Sequence, residues 1–182
     1  GLPGASDDAF VARISELLPP AAPSNLHATS VTSAEVDLAW TDRSTDETGF
    51  KIERKTGASG TWAEIGTAGM SVTDFPDPGL NEGTTYVYRV RATNAVGDSA
   101  YSNELSVLTR PLAPTDLTAT VVNERRVNLS WTDHSGSETG FRVERRVGAA
   151  APWAAVATLA ANVMAYADTS VVESTTYSYR VL

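Results

Sequence analysis

Thr84-Thr85-Tyr86-Val87-Tyr88-Arg89-Val90 returns 91 residues later as Thr175-Thr176-Tyr177-Ser178-Tyr179-Arg180-Val181. Along Thr85–Thr93, Tyr86, Tyr88 and Val90 fall on one side and Arg89 and Arg91 on the other, the period of a half-buried strand. Working outward at the same offset, Trp40 pairs with Trp131, Gly49-Phe50 with Gly140-Phe141, and Trp62 with Trp153. No gap is needed between 23–91 and 114–182, and about 31 of the 69 paired positions are identical. A period of this length is too large for a helical solenoid repeat and describes two whole domains in tandem. The organisation reads as an N-terminal linker or short helix at 1–20, a first domain at 21–110 and a second at 111–182.

The rest of each repeat has the same texture. Glu35–Trp40 alternates with Val36, Leu38 and Trp40 on one face, and Gly49–Glu53 does so with Phe50 and Ile52. Further strands are expected at Trp62–Thr67, Ser71–Phe75 and Ser102–Thr109, with a hairpin turn at Asn94–Asp98. Short strands punctuated by Gly, Pro, Asn and Asp over about 90 residues indicate an all-β fold, two antiparallel β-sandwiches of the immunoglobulin-like, seven-strand type. The second repeat stops at Leu182, the partner of Arg91, and so lacks the last strand of the first. Before Pro19-Pro20, the residues Phe10, Val11, Ile14, Leu17 and Leu18 make an apolar stripe that Ser6 or Asp7 would cap as a helix.

Several motifs together carry a family resemblance. They are Pro23-x-x-Leu26, the strand ending in Trp40, Leu80-x-x-x-Thr84-Thr85-Tyr86-x-Tyr88-Arg89-Val90, the Asn94…Gly97 turn, and Trp40-Thr41-Asp42-x-Ser44-x-x-Glu47-x-Gly49-Phe50. They resemble a fibronectin type III domain of the bacterial extracellular type, and Pro114-x-x-Leu117, the phrase from Trp131 to Arg145 and Thr175-Thr176-Tyr177-x-Tyr179-Arg180-Val181 carry the same resemblance in the second copy. The resemblance implies a secreted or surface-anchored multidomain parent, an extracellular or cell-surface location, and a non-catalytic role as spacer and interaction or adhesion module. Tyr86 and Tyr177 then suit a tyrosine corner, in which the hydroxyl serves a backbone group. Glu53 with Arg89, and Glu144 with Arg180, are expected as exposed cross-strand pairs.

Composition narrows the chemistry. There is no cysteine, which excludes disulfides, thiolate metal sites and Cys nucleophiles. The net charge of −8 argues against nucleic acid and anionic membrane surfaces as partners, and no apolar run approaches the roughly 20 residues of a membrane span. His27 and His134 occupy non-equivalent positions, and no Gly-x-Ser-x-Gly elbow occurs. No catalytic residue and no cofactor are therefore assigned.

Three constellations are open to function. Asp42, Ser44, Asp46 and Glu47, with Asp133, Ser135 and Glu138 in the second copy, place oxygen atoms at alternating positions. That arrangement suits either Ca²⁺ or the shaping of the loop by backbone N–H bonds. Trp62 and Trp153 either present flat faces to a polysaccharide, as in an accessory carbohydrate-binding module, or pack over neighbouring strands. Val96-Gly97-Asp98-Ser99 sits where integrin-binding members of the family carry Arg-Gly-Asp, with Val in place of the cation. The partners expected are a protein or a neighbouring domain of the same polypeptide. Self-assembly through the open edge of the second domain, as in a filament subunit completed by strand exchange, is the structural alternative. The linker Thr109–Pro114, with two prolines and no Gly or Ser, should be stiffer than a random coil.

Overall fold

The computed structural model describes residues 18–182. The apolar stripe at Phe10–Leu18 therefore falls, but for its last residue, outside the described residues. Among the described residues every regular element is a strand. In the first domain β1 (Ser24–Val31), β2 (Glu35–Thr41), β3 (Gly49–Thr56), β4 (Ala63–Gly69), β5 (Asp74–Pro78), β6 (Thr85–Thr93) and β7 (Leu105–Leu108) follow one another. They form two antiparallel sheets, ordered β1-β2-β5 and β4-β3-β6-β7. The second domain repeats the plan with β8 (Thr115–Asn123), β9 (Arg126–Thr132), β10 (Gly140–Val147), β11 (Ala154–Ala160), β12 (Ala165–Asp168) and β13 (Tyr177–Val181). Its sheets are β8-β9-β12 and β11-β10-β13.

The alternating residues meet between the sheets. Val36, Leu38 and Trp40 from one sheet pack against Phe50, Ile52, Tyr86, Tyr88 and Val90 from the other, all buried. Trp40 and Phe50 lie 5.4 Å apart, ring tilted on ring, and Trp131 and Phe141 repeat the contact at 5.7 Å. Each such side chain contributes about 1.5–3 kcal/mol through the apolar surface it removes from water. The corner tyrosines behave as the sequence implies: Asn81 N donates to the Tyr86 hydroxyl at 3.1 Å, and Val172 N to that of Tyr177 at 3.0 Å.

One strand is displaced from its expected place. The segment expected at Ser71–Phe75 pairs instead at 74–78, because Ser71 adopts φ +60° and Val72 N bonds to Gly69 O, closing a turn first. The strand carries Pro76 and Pro78, which lack an N–H. An edge position tolerates that loss, and β5 lies at the edge of its sheet. At the exit of the first domain Thr109 is buried. Its hydroxyl donates to Asn81 O and accepts from Thr84 N, and Arg110 N bonds to Thr32 O. The linker thus leaves from a fixed point.

Candidate functional site

The oxygen-rich β2–β3 loop folds on itself. Ser44 N donates to Asp42 Oδ1 at 2.9 Å, and the Ser44 hydroxyl donates to Asp46 Oδ1 at 2.7 Å. Glu47 turns away and is buried; its Oε1 accepts the Ser71 N–H, which stabilises the left-handed turn just described. In the second domain Asp133 accepts from Ser135 N and Glu138 from Asn162 N, reproducing those two bonds. The Ser135 hydroxyl points elsewhere, to Glu82 of the first domain. Among the described residues no three carboxylates or histidines converge into a metal-holding group. The bonds seen here are those of a shaped loop.

Trp62 and Trp153 lie half-buried across the outer face of their sheets. The Arg89 guanidinium sits between Trp62 and Tyr101, 4.1 and 3.6 Å from the ring centroids, and Lys55 Nζ lies 4.7 Å from Trp62. In the second domain Arg146 and Arg180 are each 4.6 Å from Trp153. These stacks correct the expectation of exposed ion pairs. The register is as read, Glu53 opposite Arg89 and Glu144 opposite Arg180, but both glutamates are only 6% exposed. Residues of outward parity become buried because the large side chains beside them lie down over the sheet.

Glu53 accepts two N–H bonds from Arg89, at 2.8 and 2.6 Å, and one O–H bond from Tyr101 at 2.9 Å; Arg91 lies 3.1 Å away. Burial would raise its pKa, yet these hydrogen bonds and the two guanidinium charges outweigh it and hold the carboxyl below its ordinary value.

A further buried carboxylate is not marked by any alternating pattern in the sequence. Asp77 on β5 accepts from Arg54 Nη1 at 2.7 Å and from the Tyr88 hydroxyl at 2.8 Å, so it ties one sheet to two strands of the other. Asp168, Arg145 and Tyr179 repeat the arrangement at the same offset, with Ser170 donating to Asp168 through both its N–H and its hydroxyl. Burial pushes Asp168 upward, but the bonds from Ser170, Arg145 and Tyr179 prevail and its carboxyl lies below the usual range. Tyr88 and Tyr179 move the other way, far above the ordinary phenol, through burial and the adjacent carboxylate. The signal was present: all three residue types are identical in both copies.

The remaining nominations stand apart from one another. His27 Nδ1 contacts Asn25 O, and His134 Nε2 contacts the Thr115 hydroxyl. In the β6–β7 turn Asp98 is held by Lys51 and Arg91 at 2.9 and 3.0 Å, with Asn94 accepting the Val96 N–H.

Comparison with known proteins agrees with this geometry. Residues 21–108 match the family model described as Fibronectin type III domain. Exoglucanase B of Cellulomonas fimi is 35% identical over 179 residues, covering 89% of this chain and 15% of that protein. Chitinase A1 of Niallia circulans is 34% identical over 130 residues, 62% of this chain and 17% of that protein. The chain thus spans about a sixth of the length of these relatives. Among solved structures, a two fibronectin type III domain segment from chicken tenascin superimposes with a TM-score of 0.54 at 18% identity, covering 87% of this chain and 89% of that one.

Proposed function

This chain belongs to the fibronectin type III family, and from that premise we propose that it is a non-catalytic spacer and protein-interaction module of a larger bacterial extracellular protein. The observation that carries the reading is the employment of its reactive groups. Glu53, Asp77, Asp98, Glu144 and Asp168 each face one or more cations of their own domain. Groups held this way stabilise a scaffold and are not free to serve as the carboxylate pair that glycoside cleavage requires. Similarity to parts of an exoglucanase and a chitinase supports an extracellular parent that acts on a polysaccharide.

The chain should therefore neither hydrolyse nor bind the polymer itself. Incubation of the purified chain with insoluble cellulose and chitin, followed by sedimentation, tests this. The protein is expected in the supernatant with no soluble sugar released. Retention abolished by Trp62→Ala or Trp153→Ala would instead make those rings sugar platforms.

A further inference from the structure

We propose that Glu82 is an interdomain latch: its carboxylate, carried on the β5–β6 loop of the first domain, is received by the β9–β10 loop of the second and fixes their orientation. Three donors converge on it. Ser135 Oγ donates to Oε2 at 2.7 Å, Gly136 N donates to Oε1 at 2.8 Å, and Leu112 N, from the linker, donates to Oε2 at 2.6 Å. One side chain thus grips both the partner domain and the segment that joins them. Charge-assisted bonds of this kind are roughly twice as strong as neutral ones.

The Gly136 amide, the Ser135 hydroxyl and the Leu112 amide hold Glu82 below the ordinary carboxyl range, so it stays ionised at neutral pH. Beside it Gly83 has φ +54°, and a Cβ there would overlap the Cβ of Ser137. The loops therefore approach as closely as a glycine allows.

The repeat explains why this contact joins the first domain to the second and has a direction. In the first domain the β2–β3 loop reads Ser44-Thr45-Asp46, and the single hydroxyl proton of Ser44 goes to Asp46. In the second domain the same positions read Ser135-Gly136-Ser137. With the aspartate replaced by serine, the Ser135 proton is free for Glu82, and the negative charge that would repel Glu82 is gone. The donor surface thus fits a carboxylate only in the second copy. This inference goes beyond the spacer role, since it concerns how the two domains hold each other whatever they connect.

The absence of cysteine makes the test direct. Ser30→Cys and Thr120→Cys, both at exposed positions on opposite domains, introduce the only thiols for spin labels. Pulsed electron double resonance on the full chain should give a single narrow distance peak. Glu82→Ala should lose that peak to a broad distribution. Ser137→Asp should do the same from the other domain, by recapturing the Ser135 proton and restoring like charge. Glu173→Ala, the equivalent of Glu82 in the second domain, should leave the peak intact. A broad distribution in the parent chain, a peak that survives both Glu82→Ala and Ser137→Asp, or an equal loss with Glu173→Ala would overturn the latch.

Discussion

Tyr88 in the first domain is fully buried, whereas Tyr179, its equal in sequence and in hydrogen bonding, is only half-buried. Tyr86 and Tyr177 differ in the same way. The difference lies in what covers the strand that carries them. In the first domain β7 pairs with β6 from Thr85 to Tyr88, and Val107 joins the core. Among the described residues no strand lies on the corresponding edge of β13. Yet the bond from tyrosine to aspartate is nearly the same in both, 2.8 Å at Tyr88 and 2.9 Å at Tyr179. The polar tie between the sheets is thus set by the strands bearing it, whereas apolar burial depends on the neighbour. Such a tie should hold with or without a covering strand.

Removing the tie is the most severe perturbation. Asp77→Ala leaves Arg54 and Tyr88 facing each other without their acceptor and should cost the first domain about 3 kcal/mol. Asp168→Ala should cost the second domain a similar amount. Urea unfolding of the full chain measures both, with each variant lowering the transition of its own domain. A loss confined to Asp77→Ala would mean that the tie works only beneath β7.

A smaller step converts one domain toward the other. Val107→Ala should cost about 2 kcal/mol and raise the exposure of Tyr86 and Tyr88 toward that of Tyr177 and Tyr179. Tyrosine ring resonances, followed through their accessibility to a soluble paramagnetic probe, report it. An unchanged exposure would place the cause of the difference somewhere other than β7.

Weaker still are the stacks on the outer faces. Trp62→Ala removes a ring lying over Arg89 and Lys55 and should cost about 1 kcal/mol, with Trp153→Ala comparable. Thermal unfolding distinguishes this from a free surface ring, whose removal would shift nothing.

Acid should act gradually. Asp168 and Glu53 have folded pKa values below their unfolded ones. Their stabilisation is therefore complete above the ordinary carboxylate range, about pH 4, and is lost as the pH falls through the folded values. Asp168→Asn should flatten this acid limb for the second domain and Glu53→Gln for the first. An acid limb that retains its slope in both variants would assign it to other carboxylates.

Much of this was legible in the residues. The 91-residue offset fixed two domains, and alternation placed Trp40, Phe50 and Tyr88 in the core. The glutamates of the outer faces were misjudged because strand parity assigns Glu53 a side of the sheet but says nothing about Trp62 and Tyr101 lying down beside it. Asp77 was missed because its strand is short and contains two prolines, so no alternation marks it. For the β9–β10 loop the sequence offers a cation site or a loop shaped by backbone N–H bonds, and neither reading points to another domain. The replacement of Asp46 by Ser137 was visible, but its meaning required Glu82, 55 residues earlier in the chain and on the other domain.

On the latch proposed at Glu82, two repeated scaffolds, each closed by its own polar tie, act as one body. Residual dipolar couplings of the full chain in a weakly aligned medium test it most directly. A single alignment tensor that fits the amides of both domains in their present orientation is the predicted result. Two tensors of different magnitude and axis, each satisfying only its own domain, would show that the domains tumble independently and that Glu82 does not join them.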